Sequence, residues 1–108
     1  MAKPKPVPEV HTLVVELGRA AGDGLPEEAT GGALLCYASA GSETEAVRET
    51  VAVLKAAGLN PLEVTAQGTL SERRAAGEEI GAEDEALMAR AAAENAVIVA
   101  QKTWFGGA

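Results

Sequence analysis

Residues 33–61, "ALLCYASAGSETEAVRETVAVLKAAGLNP", decide the fold, because they hold a strand, a turn and a helix with both ends marked. In "ALLCYAS" (33–39) apolar residues occupy both alternating faces, which indicates a strand covered on both sides. Ser42 is a favourable N-cap, and Glu45 follows at the capping-box spacing. Apolar residues then recur with helical period until Gly58 ends the pattern. We therefore predict a buried strand that leads directly into a capped helix.

Working outward, the sequence predicts three further strands and a second main helix. "VHTLVVEL" (10–17) alternates, and because its Thr12 and Glu16 can face water we expect it near a sheet edge. "LEVTAQ" (62–67) alternates cleanly and predicts a half-exposed strand. "AVIVAQ" (96–101) is apolar on both faces and predicts a second central strand. A short helical piece is expected within 71–79, and a longer helix over 82–95, whose first turn is acidic.

This β-β-α-β-α-β order predicts a small α/β domain with a four-stranded mixed sheet and two main helices. The expected strand order is third-second-fourth, with the first strand at an edge. The alternative is a ferredoxin-like α+β two-layer sandwich, which would need a short strand within 68–80. Residues 1–9 carry three prolines and predict a flexible arm, so that 10–108 form the single α/β domain.

Composition narrows the classes of function. Nine Lys and Arg against sixteen Asp and Glu give a net charge of −7 without a basic stripe, so we expect neither nucleic acid nor a membrane surface as a partner. The single cysteine, Cys36, lies in an apolar run, and the single histidine, His11, lies in a strand pattern. We therefore expect no metal site and no catalytic residues. The first residues lack the apolar core of a signal peptide, which favours a cytoplasmic location.

The segment "CYASAGSETEAV" (36–47) is the candidate for binding a small ligand. A buried strand passes through a small-residue turn into a helix, and α/β folds bind phosphate at such helix starts. The candidate anion-binding residues are Ser39, Gly41 and Ser42. Glu43 places a carboxylate beside this turn, which disfavours an anion.

The same segment resembles the phosphate loop of the flavodoxin family. The residues that match are Tyr37, Ser39, Thr44 and Glu45. The stretch "IVAQKTWFGG" (98–107) is similar to the exit of a flavodoxin strand at which an aromatic residue flanks the flavin. The resemblance implies FMN as a cofactor, with Trp104 beside its ring.

Two of the three aromatic residues, Trp104 and Phe105, are adjacent in "KTWFGGA" (102–108). We expect them to emerge beyond the strand at 96–101, beside the 39–43 turn. They could fold back on their own core, pack on another subunit or protein as interface anchors, or flank a ligand. We favour a non-catalytic interaction or self-associating module, whose partner is itself or another protein. The alternative is a minimal flavodoxin-like domain that binds FMN or a nucleotide phosphate.

Overall fold

The computed structural model describes residues 7–106. Its strands and helices, in chain order, are β1 (Glu9–Gly18), β2 (Gly31–Ala40), α1 (Glu43–Ala56), β3 (Asn60–Thr69), α2 (Leu70–Ala75), α3 (Ala82–Glu94) and β4 (Val97–Phe105). The predicted flexible arm falls outside the described residues at 1–6, and its last residue already begins β1. The helices predicted after Ser42 and over 82–95 are confirmed as α1 and α3.

The four strands form one sheet in the order β3-β1-β2-β4, and every neighbouring pair is antiparallel. The predicted mixed sheet is therefore wrong. β2 and β3 do run parallel to each other, as a β-α-β unit requires, but β1 lies between them. The chain is a small α+β fold with a four-stranded antiparallel sheet and three helices.

The predicted strand order is wrong as well, because β1 is central and β4 is an edge strand. The two polar residues that suggested an edge are both accommodated on a central strand. Thr12 is buried, and its hydroxyl accepts a hydrogen bond from Nη1 of Arg73 in α2 at 3.0 Å. Glu16 is exposed on a part of the sheet that no described helix covers. A polar residue therefore did not mark an edge in either case.

Helices cover both faces of the sheet. On one face Leu54 of α1 packs against Val15 and Cys36. On the other face Met88 of α3 packs against Tyr37, which alternates with Cys36 along β2. The two-layer ferredoxin-like alternative is therefore wrong, and residues 70–80 hold α2 and a loop instead of the strand that it needs.

The α2–α3 connection covers only half of its face. β3 ends and β4 begins at the end of the sheet where Glu9 pairs with Ala40, so the connection crosses the sheet at that end. No described helix covers the opposite half of this face. We call this surface the bare half-face; it comprises Val14, Glu16, Ala33, Glu63, Thr65 and Phe105.

Side chains cap two helix starts. The Ser42 hydroxyl accepts a hydrogen bond from the Glu45 backbone N–H at 3.2 Å, as the sequence predicts. The Glu45 carboxylate in turn accepts from the N–H of Gly41. At α2, Thr69 and Glu72 form a reciprocal capping box that was not predicted from the sequence. These hydrogen bonds satisfy N–H groups that a helix start leaves free.

Two buried threonines should respond in opposite ways to replacement by valine. Thr50 in α1 is 0% exposed, and its hydroxyl has no hydrogen-bond partner among the described residues. Thr12 is 2% exposed and is bonded to Arg73. We expect Thr50→Val to raise the free energy of unfolding by about 1 kcal/mol, because an unsatisfied hydroxyl is removed, and Thr12→Val to lower it by a similar amount. Urea unfolding of the two variants measures the difference, and equal losses would contradict this account.

Candidate functional site

The strand that carries the candidate interface residues is longer than the sequence predicts. β4 continues through "QKTWF" (101–105), so Trp104 and Phe105 lie within an edge strand instead of beyond it. Gly32 pairs with Trp104, and Gly31 pairs with Phe105. Because neighbouring residues of a strand point to opposite faces, the two rings lie on opposite sides of the sheet.

A β-bulge at Ala100 determines which ring lies on which face. Leu35 pairs with Gln101 and Cys36 pairs with Val99, which leaves Ala100 as the extra residue. Beyond the bulge, Lys102 lies opposite Leu34 and shares the α1 face with Trp104, whereas residues 101, 103 and 105 lie on the other face.

The indole of Trp104 lies directly over the backbone of Gly32. A Cβ atom at Gly32 would lie 2.6 Å from Cε3 of the indole and 2.7 Å from the carbonyl oxygen of Thr103. The position therefore requires glycine for close approach. The ring remains 38% exposed, so this contact fixes its orientation while leaving much of its surface accessible.

Trp104 also borders a groove on the α1 face. The groove has a volume of about 400 Å³, and its walls include Val53, Ala57, Leu59 and Lys102. Val53 is exposed although it is apolar. The groove thus places an aromatic ring and one cationic side chain beside an aliphatic wall.

Phe105 is part of the bare half-face. Its carbonyl oxygen accepts a hydrogen bond from the N–H of Thr30 at 2.8 Å, which ties the end of β4 to the β1–β2 loop. The ring is 41% exposed and borders a shallow depression of about 340 Å³, whose floor includes Val14 and Ala33. Both aromatic side chains that the sequence singles out are thus accessible at the same edge.

The outer side of β4 pairs with no other strand among the described residues. Its sequence from Val97 to Phe105 contains no acidic residue and one basic residue, Lys102. The other edge strand, β3, is less suited to pairing, because it carries Pro61 and two register irregularities. The two edges therefore differ in their capacity to accept another strand.

The predicted anion-binding turn is already occupied by the chain's own groups. The Gly41 N–H donates to the Glu45 carboxylate at 3.2 Å, and the Ser42 hydroxyl accepts from the Glu45 N–H. The Ser39 N–H donates to the carbonyl oxygen of Ala96 at 3.3 Å. The structure thus gives these three residues roles in a helix start and a strand contact.

The turn and the aromatic pair lie at opposite ends of the sheet. Trp104 pairs with Gly32 at the start of β2, whereas Ser39 lies near its end. Seven residues of antiparallel strand span about 24 Å. The expectation that the rings emerge beside the 39–43 turn is therefore wrong, because it assumed that β4 runs parallel to β2. The two pieces of the flavodoxin resemblance do not come together.

The thiol and the phenol that could act as a nucleophile or an acid–base group are buried and protonated. Burial raises the pKa of the Cys36 thiol to about 11, so the thiolate nucleophile is scarce at neutral pH. Burial, together with the hydrogen bond to the Asp84 carboxylate, raises the pKa of Tyr37 to about 12. The Tyr37 hydroxyl donates to Oδ1 of Asp84 at 2.6 Å and so ties α3 to the sheet.

An Arg19–Asp23 pair organises the long β1–β2 loop. Nε and Nη2 of Arg19 donate to the two carboxylate oxygens of Asp23 at 2.9 and 3.2 Å, and Nη1 donates to backbone carbonyls, including that of Ala29. The Asp23 side chain is 3% exposed and also accepts from the N–H groups of Ala20 and Leu25. The hydrogen bond from Arg19, followed by that from Ala20, lowers the pKa of Asp23 from 3.8 to about 2. The sequence offered only a common Arg-to-Asp i, i+4 spacing as a signal for this pair.

Comparison with known protein families identifies the family of this chain. A family described as a domain of unknown function, DUF8846, matches residues 10–106. No curated protein and no solved structure shows significant similarity to the chain. Within residues 7–106, no helix is both long enough and apolar enough to cross a membrane, and no three His, Cys, Asp or Glu side chains converge as metal ligands.

The contact between Gly32 and Trp104 can be tested with Gly32→Ala. The added methyl group would collide with the indole and with a backbone oxygen, so we expect a loss of about 1–3 kcal/mol in the free energy of unfolding. We also expect red-shifted tryptophan fluorescence in the folded state. Gly18→Ala is the matched control, because its Cβ would meet flexible side-chain ends of Asn60 and Leu62. Unchanged emission from Gly32→Ala would contradict the described packing.

The low pKa of Asp23 predicts a pH dependence of stability. Because the folded pKa of about 2 lies below the ordinary 3.8, the ionised carboxylate stabilises the fold above pH 3.8, and this stabilisation is lost as the pH falls toward 2. We expect the stability difference between the parent protein and Asp23→Asn to shrink across that interval in urea titrations. Glu28→Gln, which removes an exposed carboxylate from the same loop, is the charge-matched control. A difference that stays constant down to pH 2 would rule out this contribution from Asp23.

Proposed function

The chain belongs to the DUF8846 family, and on this premise we propose from its own surface that it is a non-catalytic interaction module that self-associates through the outer edge of β4. The observation that carries the proposal is the self-complementary segment "QKTWF" (101–105) on that unpaired edge. A strand with unpaired N–H and C=O groups can add a further strand, which is a common mode of recognition between proteins.

Two copies of β4 can pair antiparallel about a twofold axis through Thr103. Such an interface is isologous, because the same surface serves both copies. In this register Thr103 faces Thr103, and each Lys102 faces Trp104 of the second copy. Each Gln101 then faces Phe105 of the second copy.

The faces of the strand are compatible with this register. Residues 102 and 104 share the α1 face, and residues 101, 103 and 105 share the other. Lys102 and Trp104 of two copies would therefore meet on one face, where a cation–π contact is favourable. A threonine pair at the axis is also a favourable cross-strand combination. The segment lies beyond the Ala100 bulge, so its alternation is regular throughout.

Charge also favours this edge. The chain carries a net charge of −7, which opposes close approach of two copies over most of the surface. β4 contains no acidic residue, so the pairing strands themselves add no repulsion between carboxylates. The exposed rings of Trp104 and Phe105 extend the contact to both faces of the sheet, as interface anchors do.

The FMN or nucleotide alternative lacks comparable support, because the candidate turn is bonded to Glu45 and lies far from Trp104.

We propose a cytoplasmic location for the module. Its lone thiol, Cys36, is buried and unpaired, as is usual for proteins of reducing compartments.

Sedimentation equilibrium over a wide dilution series tests the proposal. We expect a monomer–dimer equilibrium for the parent protein, together with blue-shifted Trp104 emission that reddens on dilution. Thr103→Arg should be monomeric throughout, because it places two like charges together at the twofold axis.

The matched control is Thr65→Arg, which adds the same charge to the same sheet face on the other edge strand. It should dimerise like the parent protein. A parent protein that remains monomeric at its highest soluble concentration would overturn the proposal. Equal loss of dimer in both variants would do so too, because it would show an effect of net charge alone.

A further inference from the structure

We propose that the bare half-face docks a basic amphipathic helix of another protein. This inference uses the flat side of the sheet, whereas self-association uses the outer edge of β4, and the two surfaces share Phe105. It rests on the shape of the uncovered surface and on a pair of directly opposed glutamates, Glu16 and Glu63.

The shape of the bare half-face suits a helix. Val14 and Ala33 form an apolar floor that lines two adjoining depressions of about 340 and 210 Å³. At the other end of the sheet, α2 and α3 cover this face. At the bare half-face no described helix lies above the floor. Five residues along four strands give an area of about 17 by 19 Å, which exceeds the 10–12 Å diameter of an α-helix.

The occupant must bind through side chains. The backbone of β1 and β2 is paired on both sides, so their strands offer no free edge to an extended peptide. An amphipathic helix that sets an apolar stripe on Val14 and Ala33 satisfies this condition. Phe105, at one end of the floor, supplies an exposed aromatic contact for that stripe.

The charge of the occupant follows from the register. Glu16 and Glu63 are directly opposed on β1 and β3, and both are exposed. Like charges in this position destabilise a sheet. Neither carboxylate forms an ion pair with another side chain within residues 7–106. A lysine or arginine placed between them would relieve the repulsion, so a basic helix gains more here than a neutral one.

A second copy of this chain is a poorer occupant of this face. Two bare half-faces brought together would place four glutamates against one another. Each copy also carries a net charge of −7, which adds to the repulsion between the copies. Partners of opposite charge are favoured at such a surface through both encounter rate and specificity.

The test uses a synthetic helical peptide with leucines along one face and lysines flanking them, titrated into the isotope-labelled full chain and followed by NMR. We expect shift changes at residues 14, 33, 63, 65 and 105, and little change on α1. Binding should weaken as salt is added. Glu16→Gln/Glu63→Gln should weaken it roughly fivefold, as expected for the loss of two exposed ion pairs.

Glu43→Gln/Glu83→Gln is the matched control, because it removes the same charge from exposed positions at the starts of α1 and α3. It should bind the peptide like the parent protein. Equal weakening in both double variants, or shift changes centred on the α1 groove, would overturn the proposal. Concentration-dependent shifts at residues 16 and 63 without peptide would show that a second copy covers this face, which would also overturn the proposal. The docking proposal and the self-association proposal can fail separately, because Glu16 and Glu63 lie on β1 and β3, away from the β4 edge.

Discussion

The position of β1 between β2 and β3 constrains everything else in the fold. Because β1 is hydrogen-bonded on both sides, α1 must cross it to link β2 with β3 and so covers one face. The remaining strand joins beside β2, at the far edge from β3. The α2–α3 connection therefore crosses the sheet on the other face, and it does so at the end where β3 stops and β4 starts. An uncovered half of that face and a free edge on β4 both follow from this arrangement.

Local signals in the sequence located most elements but not their arrangement. Ser42 and Glu45 marked the start of α1 because capping depends on residues close in the chain. The position of β1 was missed because the Thr12 hydroxyl accepts its hydrogen bond from Arg73, which lies 61 residues away in the chain. The length of β4 was missed because the apolar run ends near Gln101, whereas the strand conformation of Lys102 and Thr103 depends on pairing with Leu34 and Ala33. The periodicity of apolar residues indicates which residues can be buried. It does not indicate which strands become neighbours, because strand pairing joins residues that are far apart in the chain.

Buried polar contacts link the layers, and none of them had a sequence motif. Tyr37 bonds Asp84, and Arg73 bonds Thr12, so both helices of one layer are attached to the sheet by hydrogen bonds as well as by apolar packing. In one of these contacts the hydroxyl of Tyr37, a tyrosine of the flavodoxin-like segment, is directed at α3. Because aromatic residues are scarce in this chain, the sequence drew attention to Trp104 and Phe105, and both are partly exposed. Their placement on opposite faces required the register.

The bulge at Ala100 has a consequence for how this chain can change in evolution. A strand edge usually tolerates substitution, and β4 should accept many replacements at its exposed positions. It should also tolerate the loss of Ala100, because a regular strand would still pair Val99 with Cys36 and Gln101 with Leu35. Trp104 would stay opposite Gly32, and Phe105 would stay opposite Gly31. Related chains should therefore be able to lose the bulge residue without moving either ring to the other face of the sheet.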